Sequence, residues 1–292
     1  MNGNEVMNKK VPMPIYLASG PLYTDLPAFV MSIVNITPDS FWEGSRSVNV
    51  HQCAEKALEC ASDGASIIDL GAESSRPGAE YVSDQEQIDR LIPVIEEIRK
   101  HSSVPISVDT RKSSVLKAAL VSGADILNDI SALEDDPQCG FLAADYRIPV
   151  ILMHKRGNPL NMQKNTVYTD VVTEVFSYMK ERFLFALSCG IGGDRIIADP
   201  GIGFGKDAYA NAALIKNCAS FSNILDSREP NHVLMGLSRK TVIGDLTERP
   251  VEQRLCGTVS ANLLAVQKGA TIVRVHDTKE TVDMLKVLRG LG

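Results

Sequence analysis

The stretch Cys53-Ala54-Glu55-Lys56-Ala57-Leu58-Glu59-Cys60-Ala61-Ser62-Asp63-Gly64-Ala65-Ser66-Ile67-Ile68-Asp69 decides the fold. Ala54, Ala57, Leu58 and Ala61 recur at helical spacing, so 53–63 reads as an amphipathic helix. Gly64 stops it as a left-handed helix cap. A short β-branched run follows and ends on an ionisable residue, Asp69. The same phrase returns along the chain. Ser122-Gly123-Ala124 leads into Ile126-Leu127 and then Asn128-Asp129, and Lys268-Gly269-Ala270 leads into 271–273 and then Arg274, with His276 close behind. Apolar runs at 28–34, 106–108, 150–153, 196–198 and 233–237 end on Asn35, Asp109, His154, Asp199 and Ser238-Arg239-Lys240. Further helical periodicity at 85–100, 113–121, 171–187 and 251–267 separates the runs. Strands alternating with helices imply a parallel sheet with helical crossovers, and eight strands fit a closed (β/α)8 TIM barrel of the α/β class.

In such a barrel the carboxyl ends of all strands meet at one mouth, where the chemistry is carried. Residues scattered from Asn35 to His276 are therefore expected to converge. The competing architecture is an open doubly wound sheet, but its dinucleotide fingerprint is missing. Gly201, Gly203 and Gly205 sit two apart and Lys206 stands where the third glycine is needed. The stretch also fails as a Walker A loop, with Pro200 in place of the first glycine and Asp207 after the lysine.

The chain has 292 residues, 44% hydrophobic and 23% charged, which suits a single soluble barrel domain. The expected division is an N-terminal segment at 1–27 that packs on the barrel base and a barrel at 28–292. Gly20-Pro21 and Leu26-Pro27 make the end of that segment irregular or a short hairpin. A net charge of -6 argues against a nucleic-acid partner. No apolar run has the length of a signal peptide or a membrane span, so a cytoplasmic protein with no membrane partner is expected. The six cysteines form no Cys-x-x-Cys pair and read as free thiols.

Three loops after strands stand out: Thr37-Pro38-Asp39-Ser40-Phe41-Trp42-Glu43-Gly44-Ser45-Arg46, then Gly71-Ala72-Glu73-Ser74-Ser75-Arg76-Pro77-Gly78-Ala79, then Asp199-Pro200-Gly201-Ile202-Gly203-Phe204-Gly205-Lys206. The first mixes aromatic and charged residues without a packing reason. The glycines of the third let backbone approach a ligand closely.

Val34-Asn35-Ile36-Thr37-Pro38-Asp39-Ser40-Phe41 and Asp69-Leu70-Gly71-Ala72-Glu73-Ser74-Ser75-Arg76-Pro77-Gly78 resemble the two signatures of the dihydropteroate synthase family. Ser107-Val108-Asp109-Thr110, Asn128-Asp129-Ile130-Ser131, Leu152-Met153-His154, the 199–206 loop, Ser238-Arg239-Lys240 and Arg274-Val275-His276-Asp277 follow in the family's order. The resemblance implies a transferase of folate biosynthesis, a sulfonamide target. It joins p-aminobenzoate to 6-hydroxymethyl-7,8-dihydropterin pyrophosphate in an SN1-like step and releases pyrophosphate. It implies pterin contacts from Asp109, Asn128, Met153, Asp199, Phe204, Lys240 and Arg274. Pyrophosphate falls to Asn35, Arg76, Arg274 and His276, with Mg²⁺ held by Asn35. Aminobenzoate falls to Phe41, Ser75, Pro77, Lys240 and Thr241. Asp39, Phe41, Ser75, Arg76, Pro77 and Lys240 form the catalytic set, with the loops of the first two signatures closing against water. A homodimer is implied by analogy.

The family usually has Thr at Ser75 and often Ser at Thr241, changes that keep a hydroxyl. Trp42-Glu43-Gly44-Ser45 replaces its usual Ser-Asp-Gly-Gly, and Ala72 replaces a common Gly. Two rivals share the fold. A pterin-dependent methyltransferase would lack Ser238-Arg239-Lys240, and a catalytically silent pterin-binding paralogue would bind without turnover.

Overall fold

The computed structural model describes residues 11–36, 46–73, 82–157, 166–226 and 229–291. A hairpin of β1 (Ile15–Leu17) and β2 (Gly20–Leu22) comes first. Eight further strands follow: β3 (Phe29–Asn35), β4 (Ile67–Gly71), β5 (Ile106–Asp109), β6 (Ile126–Asp129), β7 (Val150–Met153), β8 (Ile196–Asp199), β9 (Leu234–Met235) and β10 (Ile272–Val275). They pair in parallel in the order β8-β7-β6-β5-β4-β3-β10-β9. A parallel bridge between Ala198 and Val233 joins the two edges, and the Ala198 N–H donates to the His232 carbonyl at 2.9 Å. This closes the barrel and excludes the open doubly wound sheet.

The crossovers are α1 (Arg46–Ser62), α2 (Asp84–Arg99), α3 (Ser113–Val121), α4 (Gln138–Asp145), α5 (Val171–Ser188), α6 (Ala208–Lys216), α7 (Thr241–Thr247), α8 (Leu255–Gln267) and α9 (Thr278–Leu291). Side-chain caps begin α2, where Ser83 accepts from the Glu86 N–H, and α5, where Asp170 accepts from Val172 and Thr173. The expected glycine stops are real, since Gly64, Gly123 and Gly269 take φ of 102°, 107° and 108°.

Alternation along the strands builds two shells. Phe29 and Met31 of β3 point into the barrel with Ile67, Ile126, Ile151, Ile197, Leu234 and Ile272. Ile15 and Leu17 of the hairpin join this cluster, so the hairpin seals the amino-terminal end. The intervening residues, such as Ile68, Leu70, Val108 and Leu127, face outward onto the helices.

Several boundaries differ from the sequence reading. The helix expected over 251–267 breaks into a 3₁₀ turn, Val251–Gln253, and α8. Arg254 sits at the break, where its guanidinium donates to the Arg249 and Arg239 carbonyls. The strand expected over 233–237 shrinks to Leu234–Met235, and a turn at 238–239 follows. The helix expected over 53–63 starts earlier, at Arg46. Helices α4, α6 and α7 have seven to nine residues and, unlike the equally short α3 before Gly123, no glycine stop to declare them.

Candidate active site

The same alternation that fills the barrel selects what reaches its mouth. Inward positions on β4 are Ile67, Asp69 and Gly71; on β5, Ser107 and Asp109; on β6, Ile126 and Asn128. On β7 and β8 they are Ile151 then Met153 and Ile197 then Asp199, and on β10 Ile272 then Arg274. Ser107 and Met153 apart, apolar residues occupy the lower layer and polar ones the upper. Pairing places Asn35 beside Gly71, Gly71 beside Asp109, Asp109 beside Asn128, and Met153 beside Asp199.

Arg274 organises one side of the mouth. Its Nε donates to Asp69 Oδ2 at 2.7 Å and its guanidinium reaches Asp109 Oδ2 at 3.1 Å. Asn128 Nδ2 donates to both Asp69 oxygens at 3.3 and 3.4 Å. Burial disfavours the Arg274 charge, but Asp69 and Asp109 outweigh it and raise its pKa. Burial pushes the Asp109 carboxyl up to about 7 despite Arg274, with Asp69 adding to the rise.

The 199–206 loop and the turn after β9 form the opposite side. Asp199 is buried, which raises its pKa, and its Oδ1 accepts from the Gly201 N–H at 2.8 Å. Lys240 Nζ donates to the Ile202 carbonyl at 2.6 Å and lies 4.7 Å from the centre of the Phe204 ring. Burial pulls the Lys240 amine down to about 8, opposed by Asp199 and reinforced by Arg274. Gly201 must be glycine, because at φ 70° an added Cβ would sit 1.8 Å from the His154 carbonyl oxygen.

The motif Ser238-Arg239-Lys240 divides its labour. Ser238 Oγ lies 3.0 Å from His276 Nδ1 and accepts from the His276 N–H. Arg239 turns away through a left-handed conformation, φ 56°, and forks onto Asp277. Lys240 alone enters the mouth. In Asn128-Asp129-Ile130-Ser131 the split is similar. Asp129 faces outward and accepts from the Ser131 and Leu133 N–H groups, holding a turn in which Ala132 and Leu133 take φ of 50° and 65°.

The structure thus brings Asp109, Asn128, Met153, Asp199, Phe204, Lys240 and Arg274 to one mouth, with Asn35 exposed on its rim and His276 half-buried beside Ser238. Thr241 is exposed at the start of α7. Asp39, Phe41, Ser75, Arg76 and Pro77 lie outside the described residues. Two residues without an assigned role prove central. Asp69 is fully buried and anchors both Arg274 and Asn128. A carboxylate two positions after Ile67, on the same strand face, was the available signal. Lys206 is buried beneath the 199–206 loop. On the rim, Arg111 joins Glu73 to Asp135, and Glu73 also accepts from the Val82 N–H.

The acceptors Asp109 and Asp199 and the donors Asn128, Lys240 and Arg274 gathered at the mouth suit a heterocycle with N–H groups and a carbonyl on its edges. Comparison with known proteins agrees. Residues 31–276 match the model of the family described as pterin binding enzyme. The chain belongs to that family. A dihydropteroate synthase of Haemophilus influenzae is 41% identical over 258 residues, 88% of this chain and 92% of that protein. The dihydropteroate synthase of Xanthomonas albilineans, solved with 4-aminobenzoic acid, superposes with a TM-score of 0.86 at 41% identity, covering 96% of this chain and 98% of that one. The same enzyme solved with 7,8-dihydropteroate gives 0.78 at 40% identity, covering 90% and 93%. Within the pterin-binding enzymes, the chain therefore groups with the dihydropteroate synthases. Among the described residues, no helix is long and apolar enough to cross a membrane.

Proposed function

We propose that the mouth binds 6-hydroxymethyl-7,8-dihydropterin pyrophosphate and p-aminobenzoate and joins them into 7,8-dihydropteroate. The observation that carries this reading is the buried Asp199 carboxylate, beside Met153 at the strand ends and close enough to Lys240 to oppose the fall in its pKa, with Asp109 and Asn128 paired on neighbouring strand ends. Asp199 accepts from the pterin amino group and its adjacent ring N–H as a bidentate pair. Asn128 and Asp109 serve the remaining ring nitrogens. Lys240 donates to the ring carbonyl or N5, Met153 and Phe204 form apolar walls, and Arg274 lays its guanidinium on the ring face.

In the reaction the bond between the pterin methylene and the pyrophosphate oxygen breaks, and pyrophosphate leaves with the electron pair. The methylene cation, conjugated with the electron-rich dihydropterin, is captured by the aminobenzoate nitrogen, which then releases a proton. The aniline is neutral at pH 7, so no strong base is needed. His276 and Arg274 donate to the leaving pyrophosphate. Asp39, Phe41, Ser75, Arg76 and Pro77 take the roles the family resemblance gives them: with Thr241 they serve the aminobenzoate and keep water from the cation.

Mg²⁺ suits this mouth. Asn35 Oδ1 and Asp109 Oδ2 flank Gly71, within 3.8 and 3.9 Å of where a Cβ on that glycine would lie. Among the described residues no group of three or more His, Cys, Asp or Glu side chains could hold a metal ion. A hard oxygen ligand or two, with the rest from phosphate and water, is how Mg²⁺ is usually held. When bound, the ion neutralises charge developing on the pyrophosphate. Asn35 is the residue that would hold it. The protein acts in the cytoplasm, as its free cysteines suit, and as a homodimer.

The test is pyrophosphate release by the purified protein with Mg²⁺. Release that requires both substrates supports synthesis. Binding of the pterin without release would identify a silent paralogue, and methyl transfer from a methylated pterin would identify the methyltransferase.

A further inference from the structure

Lys206 is an ionisable side chain with no direct place in the chemistry, yet only 3% of it is exposed. It ends the 199–206 loop and folds back beneath it. Its Nζ donates to the Gly201 carbonyl at 2.8 Å, the Phe204 carbonyl at 3.0 Å and the His154 carbonyl at 3.3 Å, and lies 2.9 Å from His154 Nδ1. Burial, together with Lys206 and Arg156, pulls the His154 pKa down to about 2, so its ring is neutral and can accept. Carbonyls and a neutral ring nitrogen all ask for N–H donors, which the Lys206 amine supplies; burial pulls its pKa well below the ordinary value, opposed by Asp199.

The other side of the same backbone faces the mouth. Gly201 gives its carbonyl to Lys206 and its N–H to Asp199. Ile202, between the two carbonyls that Lys206 gathers, gives its own carbonyl to Lys240. Phe204 gives its carbonyl to Lys206 and its ring to Lys240. Gly201, Gly203 and Gly205 take φ of 70°, 85° and 68°, so the loop lacks side-chain bulk at alternate positions to hold its shape. Asn211 adds one clamp, accepting from the Gly203 N–H and donating to the Lys206 carbonyl.

We propose that Lys206 is a positioning residue for the pterin. It is an internal N–H donor that gathers the Gly201 and Phe204 carbonyls and thereby sets the Asp199 carboxylate, the Phe204 ring and the Lys240 amine before substrate arrives. The inference rests on the proposed pterin-binding function. It deepens that reading by assigning the shape of the mouth to a side chain that never touches its occupant.

The test uses Lys206→Met, which keeps the length of the side chain and removes its donors, and Lys206→Gln, which keeps two donors. Dihydropterin affinity and Mg²⁺-pyrophosphate affinity are measured separately by calorimetry. Lys206→Met is expected to weaken dihydropterin binding about tenfold or more and raise KM for the pterin substrate, with pyrophosphate affinity within about twofold of the parent. Lys206→Gln is expected to recover part of the loss. A folded Lys206→Met protein with parental dihydropterin affinity overturns the proposal, and so does an equal loss of both affinities. Hydrogen exchange on the unaltered protein stands even if neither variant folds. The 201–205 amides are expected to be protected before any ligand is added, and unprotected exchange there overturns a preset loop. Failure of the unaltered protein to bind dihydropterin at all would instead remove the functional reading beneath it.

Discussion

Asp109 illustrates a residue whose ionised form the fold itself disfavours. Its carboxyl is held up to about 7 by burial, against an ordinary value of 3.8. Between those values the folded protein binds the proton that the unfolded chain has released. Stability from this group is therefore present at low pH and lost as pH rises from about 4 to about 7. Asp109→Asn removes that loss, so its melting temperature relative to the parent should rise between pH 5 and pH 8. The expected gain is of order 1 kcal/mol, or about 2–4 °C. A relative fall over the same interval would mean that the pairing with Arg274 outweighs burial. The variant should lose dihydropterin affinity at pH 8, where the parent's Asp109 is ionised, and lose less at pH 5, where the parent's carboxyl is already protonated.

Asp199, Asn128, Asp109, Met153, Lys240 and Arg274 were legible as single residues because each ends an apolar run or lies just beyond one. Their pairings were not. Asp69 lies no closer in sequence to Arg274 than 205 positions, and only the register of β10, β3 and β4 brings them to 2.7 Å. Lys206 was hidden for a related reason. A lysine after a glycine-rich loop reads as a solvated cation until the chain is seen to fold back over it.

At the scale of elements, alternation carried most of the information. Ile67-Ile68-Asp69-Leu70-Gly71 sends every second residue inward, so a polar residue in register with Ile67 had to enter the barrel. Helices with clear glycine stops were legible, whereas α4, α6 and α7, short and without one, were not. The tight turns of the 199–206 loop were visible only as glycines. At Gly201 their necessity comes from the approach of the His154 backbone, and at Gly205 from that of Arg156. Gly201→Ala should accordingly cost more than about 3 kcal/mol in chemical denaturation, combining a clash with a strained left-handed backbone. A loss below about 1 kcal/mol would show that the loop can move off His154 without penalty.

The whole molecule separates stability from chemistry along the barrel axis. Ile15 and Leu17 close the amino-terminal end and share one apolar cluster with Phe29, Ile126 and Ile272, while the polar mouth lies at the carboxyl ends of the strands. Ile15 is 1% exposed, so Ile15→Ala should cost about 2–5 kcal/mol. Well below its melting temperature the variant should turn over at a rate within about twofold of the parent, as expected where the base serves stability and the mouth serves catalysis. A large loss of kcat in the folded variant would contradict that division.

The central claim is that a carboxylate at the end of β8 reads the pterin. Calorimetric titration of dihydropterin into the protein and into Asp199→Asn tests it most directly. Asparagine presents a donor where the ring also donates, a buried mismatch of about 1–3 kcal/mol. The account predicts a dissociation constant about tenfold or more weaker for a variant that melts as a folded protein. Equal affinities in the two titrations would contradict it, because the pterin would then be held by some part of the molecule other than the mouth around Asp199 and Lys240.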